Sequence, residues 1–459
     1  MPQPDPAEVL VVGGGAAGSL AAIAAAEAGA RVLLLEKMPR LGSKLLMSGK
    51  GRCNLTNRAP LDEFIAAFGE TGSLLRNVFH RFFVDDLCRF FEAQDLSLKT
   101  ERGGRVFPES GEAAAVVDVL MRELDRCGVM VRPASAVEAV LIQGGAVRGV
   151  ALLRRDPVAR GQGAPGARAA PAGAGGRAQE VQPTIPAPPT IPARAVVLAT
   201  GGASYPQTGS SGDGYRIAEA LGHRIIPPRP ALVPLVLAEP IPREWRQVTL
   251  RHVRVTLLAD GGTLDERFGE AFFVRDGIAG PAVLPLSRRA GAALEAGRRV
   301  EIILNLKPAL SAEKLDARLQ REFAAHGQPG SPWAILKQLL PLKLIAAMLV
   351  QWGIDPQMRG SEISREQRRR LRELLQSLRF QVRGLRPLAE AIITAGGVAT
   401  NEVDPRTLAS RHVAGLFLAG ELLDIDAETG GYNLQAAFST GWVAGRAAAE
   451  HVTARGSQT

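Results

Sequence analysis

Cysteine is scarce in this chain. The three residues, Cys53, Cys88 and Cys127, lie far apart and form no Cys-x-x-Cys pair. That excludes a disulfide framework, a four-cysteine zinc site and a dithiol redox motif of the usual spacing. It suits a reducing, cytoplasmic compartment. Histidine is equally sparse, six residues scattered along the sequence, so no metal site is expected. No Gly-x-Ser-x-Gly or His-Glu-x-x-His motif occurs, which removes two common hydrolase chemistries. Gly49-Lys50 is followed by Gly51 rather than Ser or Thr, so it is not a phosphate-binding P-loop. A long uninterrupted apolar span is missing too. The run from Val9 to Leu35 contains Gly13, Gly14, Gly15, Gly18, Glu27, Gly29 and Arg31, and Asp5 and Glu8 precede it where an export signal carries basic residues. Neither a membrane span nor an export signal is expected.

What is present is an ordinary globular composition, 46% hydrophobic and 22% charged over 459 residues, with an excess of glycine at 50 residues. The glycines cluster, which suggests backbone brought close to a ligand. Lys and Arg number 55 against 46 Asp and Glu, a net charge of +9. The arginines are scattered, so the excess reads as general composition that suits an anionic cofactor. A nucleic-acid partner is not the favoured reading.

Residues 9–12 (VLVV) predict a buried strand, 16–28 an Ala-rich helix stopped by Gly29, and 31–35 a second buried strand ending at Glu36. Continuous apolar strands around a helix indicate a parallel sheet covered on both faces. Residues 41–57 read as loop, 61–97 and 112–127 as helical, and 136–142 and 147–153 as a hairpin turning at Gln143-Gly144-Gly145. Residues 154–194 hold 14 Gly or Pro and 10 Ala among 41 positions, with PTIPA repeated at 183–187 and 189–193. They read as a disordered low-complexity insertion, and their Gly-x-Gly-x-x-Gly at Gly161, Gly163 and Gly166 as an accident with no strand before it. Order resumes with the strand at 195–200. Short β-like runs at 249–258 and 300–306 mark an inserted β domain over 226–310. Residues 311–384 read as helical, with an apolar stripe at Leu371, Leu374, Leu375 and Leu378. A strand at 415–420 and a helix at 432–450 end the pattern. The expected fold is therefore α/β: a split Rossmann-like dinucleotide domain (1–153, 195–225 and 385–459) with an inserted β-barrel-like and helical domain.

The chemistry gathers at glycine clusters. Gly13-x-Gly15-x-x-Gly18 sits between strand and helix, and Glu36 ends the next strand. Gly13 permits the tight turn, Gly15 the approach of a pyrophosphate, and Gly18 close helix–strand packing. The helix N-terminus offers free N–H groups to phosphate, and Glu36 is placed to accept ribose hydroxyls. An acid there favours FAD or NAD over NADP. Sheet segments drawn from distant stretches, with further glycine turns at Thr200-Gly201-Gly202, at Gly420-Glu421 and at Gly430-Gly431-Tyr432-Asn433-Leu434-Gln435, favour FAD. The last stretch opens a helix whose N–H groups can stabilise charge on a reduced flavin.

With these blocks in view, the sequence resembles the YhiN/BaiN-type FAD flavoproteins, NAD(P)/FAD-dependent oxidoreductases of which some are aminoacetone-oxidase-like. The matching stretches are VVGGGAAG from Val11, GSKLLMSGKGRCNLTN (42–57), LATGGASYPQTGSSGDGY (198–215), AGGVAT (395–400) and GLFLAGELLDIDAETGGYNLQAAFSTGWVAG (415–445). The resemblance implies a split FAD domain with a glutathione-reductase-like core and assigns cofactor contacts by position. These are Gly13, Gly15, Ala16, Ala17, Gly18, Glu36 and Lys37; then Lys44, Ser48, Gly49, Arg52, Cys53, Asn54 and Thr56; Val137 at the adenine; Thr200, Gly201 and Gly202; and Gly420, Glu421, Gly431, Tyr432, Asn433 and Leu434. The chain departs from the family pattern at Lys50, where a glycine is common, and at Val274-Arg275, where Thr-His is often seen.

The expected function is an FAD-dependent oxidoreductase exchanging hydride between flavin N5 and a small organic substrate. Arg52 and Lys50 are candidates to bind substrate or phosphate, Tyr205 and Tyr432 to shape the pocket, and no residue is assigned as general base. A second strand–Gly-x-Gly–helix unit is missing, which tilts towards an oxidase or a dehydrogenase with another acceptor, although NAD(P)H can serve a flavin without its own Rossmann unit. The alternative is a flavin-containing RNA-modifying or nucleic-acid-binding protein, drawn from the net charge and the arginine-rich stretch 365–386.

Overall fold

The computed structural model describes residues 7–154, 188–246, 248–325 and 331–456. Most of the Gly/Pro/Ala-rich insertion thus lies outside the described residues. At its far end, however, Thr190–Pro192, inside the second PTIPA repeat, is a strand and not part of a disordered tract. It pairs antiparallel with Gly149–Ala151. The β-branched Thr190 and Ile191 suit an edge position, and proline is tolerated there.

A five-stranded parallel sheet forms the centre. Its spatial order is Leu416–Leu418, Ala195–Leu198, Val9–Val12, Val32–Leu35 and Met130–Arg132. Val9 aligns with both Ala195 and Val32, so strands from both halves of the chain share one register. The central strands are apolar at every position because the sheet is buried on both faces. The N-terminal helix Ala16–Glu27 and the C-terminal helix Tyr432–Gly456 pack on each other and on this sheet. Their approach is close: a Cβ on Gly441 would lie 2.1 Å from the Ala17 carbonyl oxygen, and one on Gly445 2.1 Å from that of Ala21. The hairpin Val137–Gln143 and Ala146–Leu152 turns through Gly144-Gly145, both at positive φ as a tight two-residue connection requires.

The inserted region enters and leaves through adjacent strands, Ile225–Ala231 and Ile393–Val398, which pair antiparallel. Between them lies a closed six-stranded barrel in the order Leu235–Leu237, Gly277–Ala279, Gly262–Val274, Thr249–Ala259, Val300–Asn305 and Leu378–Leu385. The last strand falls inside the stretch expected to be helical. The helix Arg365–Gln376 ends at Ser377, and Leu378 opens a strand in which Leu378, Phe380 and Val382 are buried and alternate with exposed Arg379, Gln381 and Arg383. That period of two belongs to a strand. The strand closes the barrel by pairing Leu385 with Leu235. The helices Ala312–Ala325, Pro332–Leu339, Leu342–Trp352 and Arg365–Gln376 share a second core with the barrel around Trp245, Phe273 and Trp352, separate from that of the dinucleotide domain.

Candidate functional site

Where the first glycine turn leaves the central sheet, the backbone leaves no room for side chains except at one position. A Cβ on Gly13 would stand 2.4 Å from the Ala199 carbonyl oxygen and one on Gly18 1.7 Å from that of Gly13, whereas nothing lies within 4 Å of a Cβ on Gly15. Gly18 therefore packs helix on strand, and Gly15 faces open space at the N-terminus of the helix Ala16–Glu27. That space is one cavity of about 750 Å³.

Strand ends from distant parts of the chain supply its walls. At one end stand Glu36, Lys37, Ser135 and Val137. The Glu36 carboxylate accepts hydrogen bonds from the N–H groups of Gly14 and Met38, both at 2.7 Å. Lys37 pairs with Asp213 at 2.6 Å and also donates to Ser211. Burial pushes the Asp213 carboxyl upward, but the Lys37 hydrogen bond and charge outweigh it and hold the group below its usual range. Gly13, Gly15, Ala16 and Ala17 line the middle with Thr200, Gly201, Gly420 and Glu421. Here Lys44 donates to Glu421 at 2.6 Å and to Ser204 at 2.7 Å. The other Glu421 oxygen accepts from Thr394 N at 2.7 Å and Ser204 Oγ at 3.1 Å. The far end is formed by Ser48, Gly49, Lys50, Arg52 and Asn54, by Gly431, Asn433 and Leu434, and by Glu270, Phe272, Gly280 and Pro281 of the barrel region. The Asn433 amide clamps Ala427, accepting from its N–H and donating to its carbonyl, each at 2.9 Å. This fixes the loop that precedes the C-terminal helix.

Five of the residues given cofactor contacts by resemblance do not line the cavity and stand behind its wall. Gly18 packs under Gly13. Gly202 leaves only 2.4 Å between a Cβ and Thr394 Oγ1, and the Thr56 carbonyl would be 2.3 Å from a Cβ on Gly431. Tyr432 sets its ring edge-on to Phe64 at 4.7 Å, and burial pushes its phenol upward. Cys53 is fully buried among core side chains, and burial pushes its thiol up to about 11. The remaining assigned residues line the cavity, as do Lys50 and Tyr205. Ser135 and the barrel residues went unassigned. No local glycine or charge pattern marks them, and only the fold brings them there.

Two buried oxygens at the cavity, Thr200 Oγ1 and Asn54 Oδ1, find no hydrogen-bond partner among the described residues. Together with the open cradle at Gly15 and two helix N-termini, they fit an elongated, polar, anionic cofactor. A family profile, the HI0933-like protein Rossmann domain, matches residues 7–160 and 177–447. The chain belongs to this family. It is an FAD-dependent oxidoreductase, and the resemblance seen in its motifs is borne out. A 3-dehydro-bile acid delta(4,6)-reductase from Clostridium scindens is 34% identical over 96% of this chain and 98% of its own length. A ribosomal RNA dihydrouridine synthase from Escherichia coli is 30% identical over 95% and 96%. Among solved structures, a 3-ketosteroid delta1-dehydrogenase from Sterolibacterium denitrificans aligns over 98% of this chain and 100% of its own at TM-score 0.49 and 15% identity.

The family's cavity is not the sole convergence of titratable groups. The scattered histidines include two, His223 and His412, that meet at Glu402. His223 Nδ1 lies 3.2 Å from the carboxylate and Nε2 2.8 Å from Ser410 Oγ, while His412 Nε2 is 3.4 Å from the same carboxylate. The two His223 nitrogens are already engaged. Burial outweighs the carboxylate and lowers the pKa of His223. No helix among the described residues is long and apolar enough to cross a membrane.

Proposed function

We propose that this protein reduces a carbon–carbon double bond conjugated to a carbonyl group in a small organic molecule, with NADH or NADPH as electron donor. The observation that carries the reading is one continuous cavity, which joins a dinucleotide cradle to the barrel residues Glu270, Phe272, Gly280 and Pro281. The relatives' names support it: a delta(4,6) system and the uracil ring of uridine are both carbon–carbon double bonds next to carbonyls. These names turn the expectation away from an oxidase.

In this reading Gly15 and the N-terminus of Ala16–Glu27 receive the diphosphate, and Glu36 the ribose hydroxyls. Lys44 and Glu421, braced against each other, would line the bound cofactor, and the N-terminus of Tyr432–Gly456 would stabilise negative charge on a flavin. Bound FAD supplies the two-electron chemistry, exchanging hydride at N5. The chain's residues orient the acceptor, and Phe107, Phe272 and Pro281 exclude water around it.

The test is anaerobic mixing of the yellow protein with NADH or NADPH, followed by 2-cyclohexen-1-one. Bleaching by one donor and recolouring by the enone are expected. A flavin that neither nucleotide bleaches, or that oxygen recolours and no enone does, defeats the reading.

An RNA uridine is the competing acceptor, drawn from the name of the Escherichia coli relative. The helix Arg365–Gln376, the basic element the sequence offers to a polyanion, has two of its five arginines in ion pairs. Arg368 pairs with Asp316 at 3.0 Å, and Arg369 with Glu366 at 2.6 Å and Glu373 at 2.9 Å. The small molecule is favoured by the cavity itself, whose wall sets Phe107, Phe272 and Pro281 around the acceptor. RNA retention on a filter that falls steeply with salt would reverse that preference.

A further inference from the structure

Most charged side chains lining the cavity already have a counter-charge or a backbone partner. Lys37 faces Asp213, Lys44 faces Glu421, and Glu36 accepts from two backbone N–H groups. Arg52 holds Glu101 at 2.9 Å and lays its guanidinium 4.2 Å from the centre of the Phe107 ring. Arg105 approaches the same carboxylate at 3.8 Å and the same ring at 5.8 Å. Lys50 is the exception among the cations: no acceptor faces it among the described residues. Its backbone is left-handed, as it is at eight other non-glycine residues among those described. Gly49, Lys50 and Gly51 take φ values of 57°, 60° and 83°, so a lysine stands in a left-handed turn between two glycines. Glycine takes this conformation without penalty, and lysine takes it under strain. Strain kept at a cavity lip points to a function served by the side chain.

We propose that Lys50 selects substrates that carry a carboxylate or a similar anionic group on an apolar body. The cation supplies the charge recognition, and Phe107, Phe272, Pro281 and Leu284, all at the cavity wall, supply the apolar contact. Glu270, from the barrel, lines the same cavity. It repels an anion, so the ligand's charge belongs on the Lys50 side and its neutral body towards the barrel. The proposal rests on the reading of this cavity as the substrate site, and it names the substrate class.

Binding of 2-naphthoate and of its neutral isostere 2-naphthamide to the FAD-loaded protein tests it, read as perturbation of the flavin absorbance. The wild type is expected to prefer naphthoate by about tenfold, the size of one poorly screened charge contact. The preference should shrink as salt rises. Lys50→Gly, which relieves the backbone strain, should keep the FAD content and the naphthamide affinity and lose the preference. Lys50→Arg should retain it. Equal affinities in the wild type, no perturbation by either compound, or a preference that survives in Lys50→Gly overturns the proposal. Selective naphthoate binding by a protein that reduces no enone would sink the reaction reading and leave the anion selectivity standing.

Discussion

Gly15 and Gly18 are both glycines of one motif, yet their surroundings demand opposite outcomes on substitution. Gly18→Ala drives a methyl group into the Gly13 carbonyl at 1.7 Å. The turn must open, with a loss of about 3 kcal/mol or more in urea unfolding and of the yellow colour. Gly15→Ala meets nothing within 4 Å and sits at negative φ, so stability should stay within about 0.5 kcal/mol of wild type. FAD affinity should nevertheless fall at least about tenfold, because the methyl occupies the space of the diphosphate. Equal effects of the two changes would refute this division of roles. His223 gives a pH signature at the same scale. Its folded pKa lies below the ordinary value of 6.5, so the unfolded chain takes up the proton first. Stability is complete above about 6.5 and is lost as pH falls below it. His223→Gln should flatten that dependence in thermal melts between pH 5 and 7. The close packing at Gly13 and Gly18 was legible in the sequence because steric demands at a tight turn are local. The meeting of His223, Glu402 and His412 was not, since it joins residues 179 positions apart.

At the scale of elements, the junction between the helices Ala16–Glu27 and Tyr432–Gly456 carries the split domain. Gly441 and Gly445 present bare backbone to Ala17 and Ala21. Alanine at either position should cost about 3 kcal/mol, since backbone rather than a flexible side chain must yield. A melt unchanged by Gly441→Ala would refute this reading. The spacing Gly441-x-x-x-Gly445 is visible in the sequence, but its partner helix is not. The strand Leu378–Leu385 teaches the same lesson in reverse. Its alternation of Leu378, Phe380 and Val382 is plain once seen, yet Leu378 also extends the helical stripe of Leu371 and Leu375. Local pattern was ambiguous, and barrel closure against Leu235 decided it.

At the scale of the molecule, two ion pairs fasten the inserted region to the loop before the C-terminal helix: Arg267 with Glu428 at 2.9 Å and Arg288 with Asp426 at 3.5 Å. Asp426 is only 3% exposed, and burial pushes its carboxyl up to about 6 against the pull of Arg288. A raised acid favours the folded state at low pH, and that contribution is lost as pH rises from about 4 to about 6. Arg288→Met should therefore lower stability at pH 8 by about 1 kcal/mol, modest because Arg288 is 44% exposed, and by less at pH 5, where Asp426 is protonated. Urea unfolding at the two pH values checks this, and a larger deficit at pH 5 would contradict it. By itself the sequence determined the glycine cradle, the buried parallel strands and the flavoprotein family, since each depends on residues close in the chain or on motifs specific in themselves. Only the tertiary structure decided which residues form the cavity wall and which stand behind it, and that the barrel lip and Lys50 share one mouth. Most of those relations depend on contacts between segments far apart in the chain, such as Gly202 with Thr394 and Lys44 with Glu421, and local spacing carries no record of them.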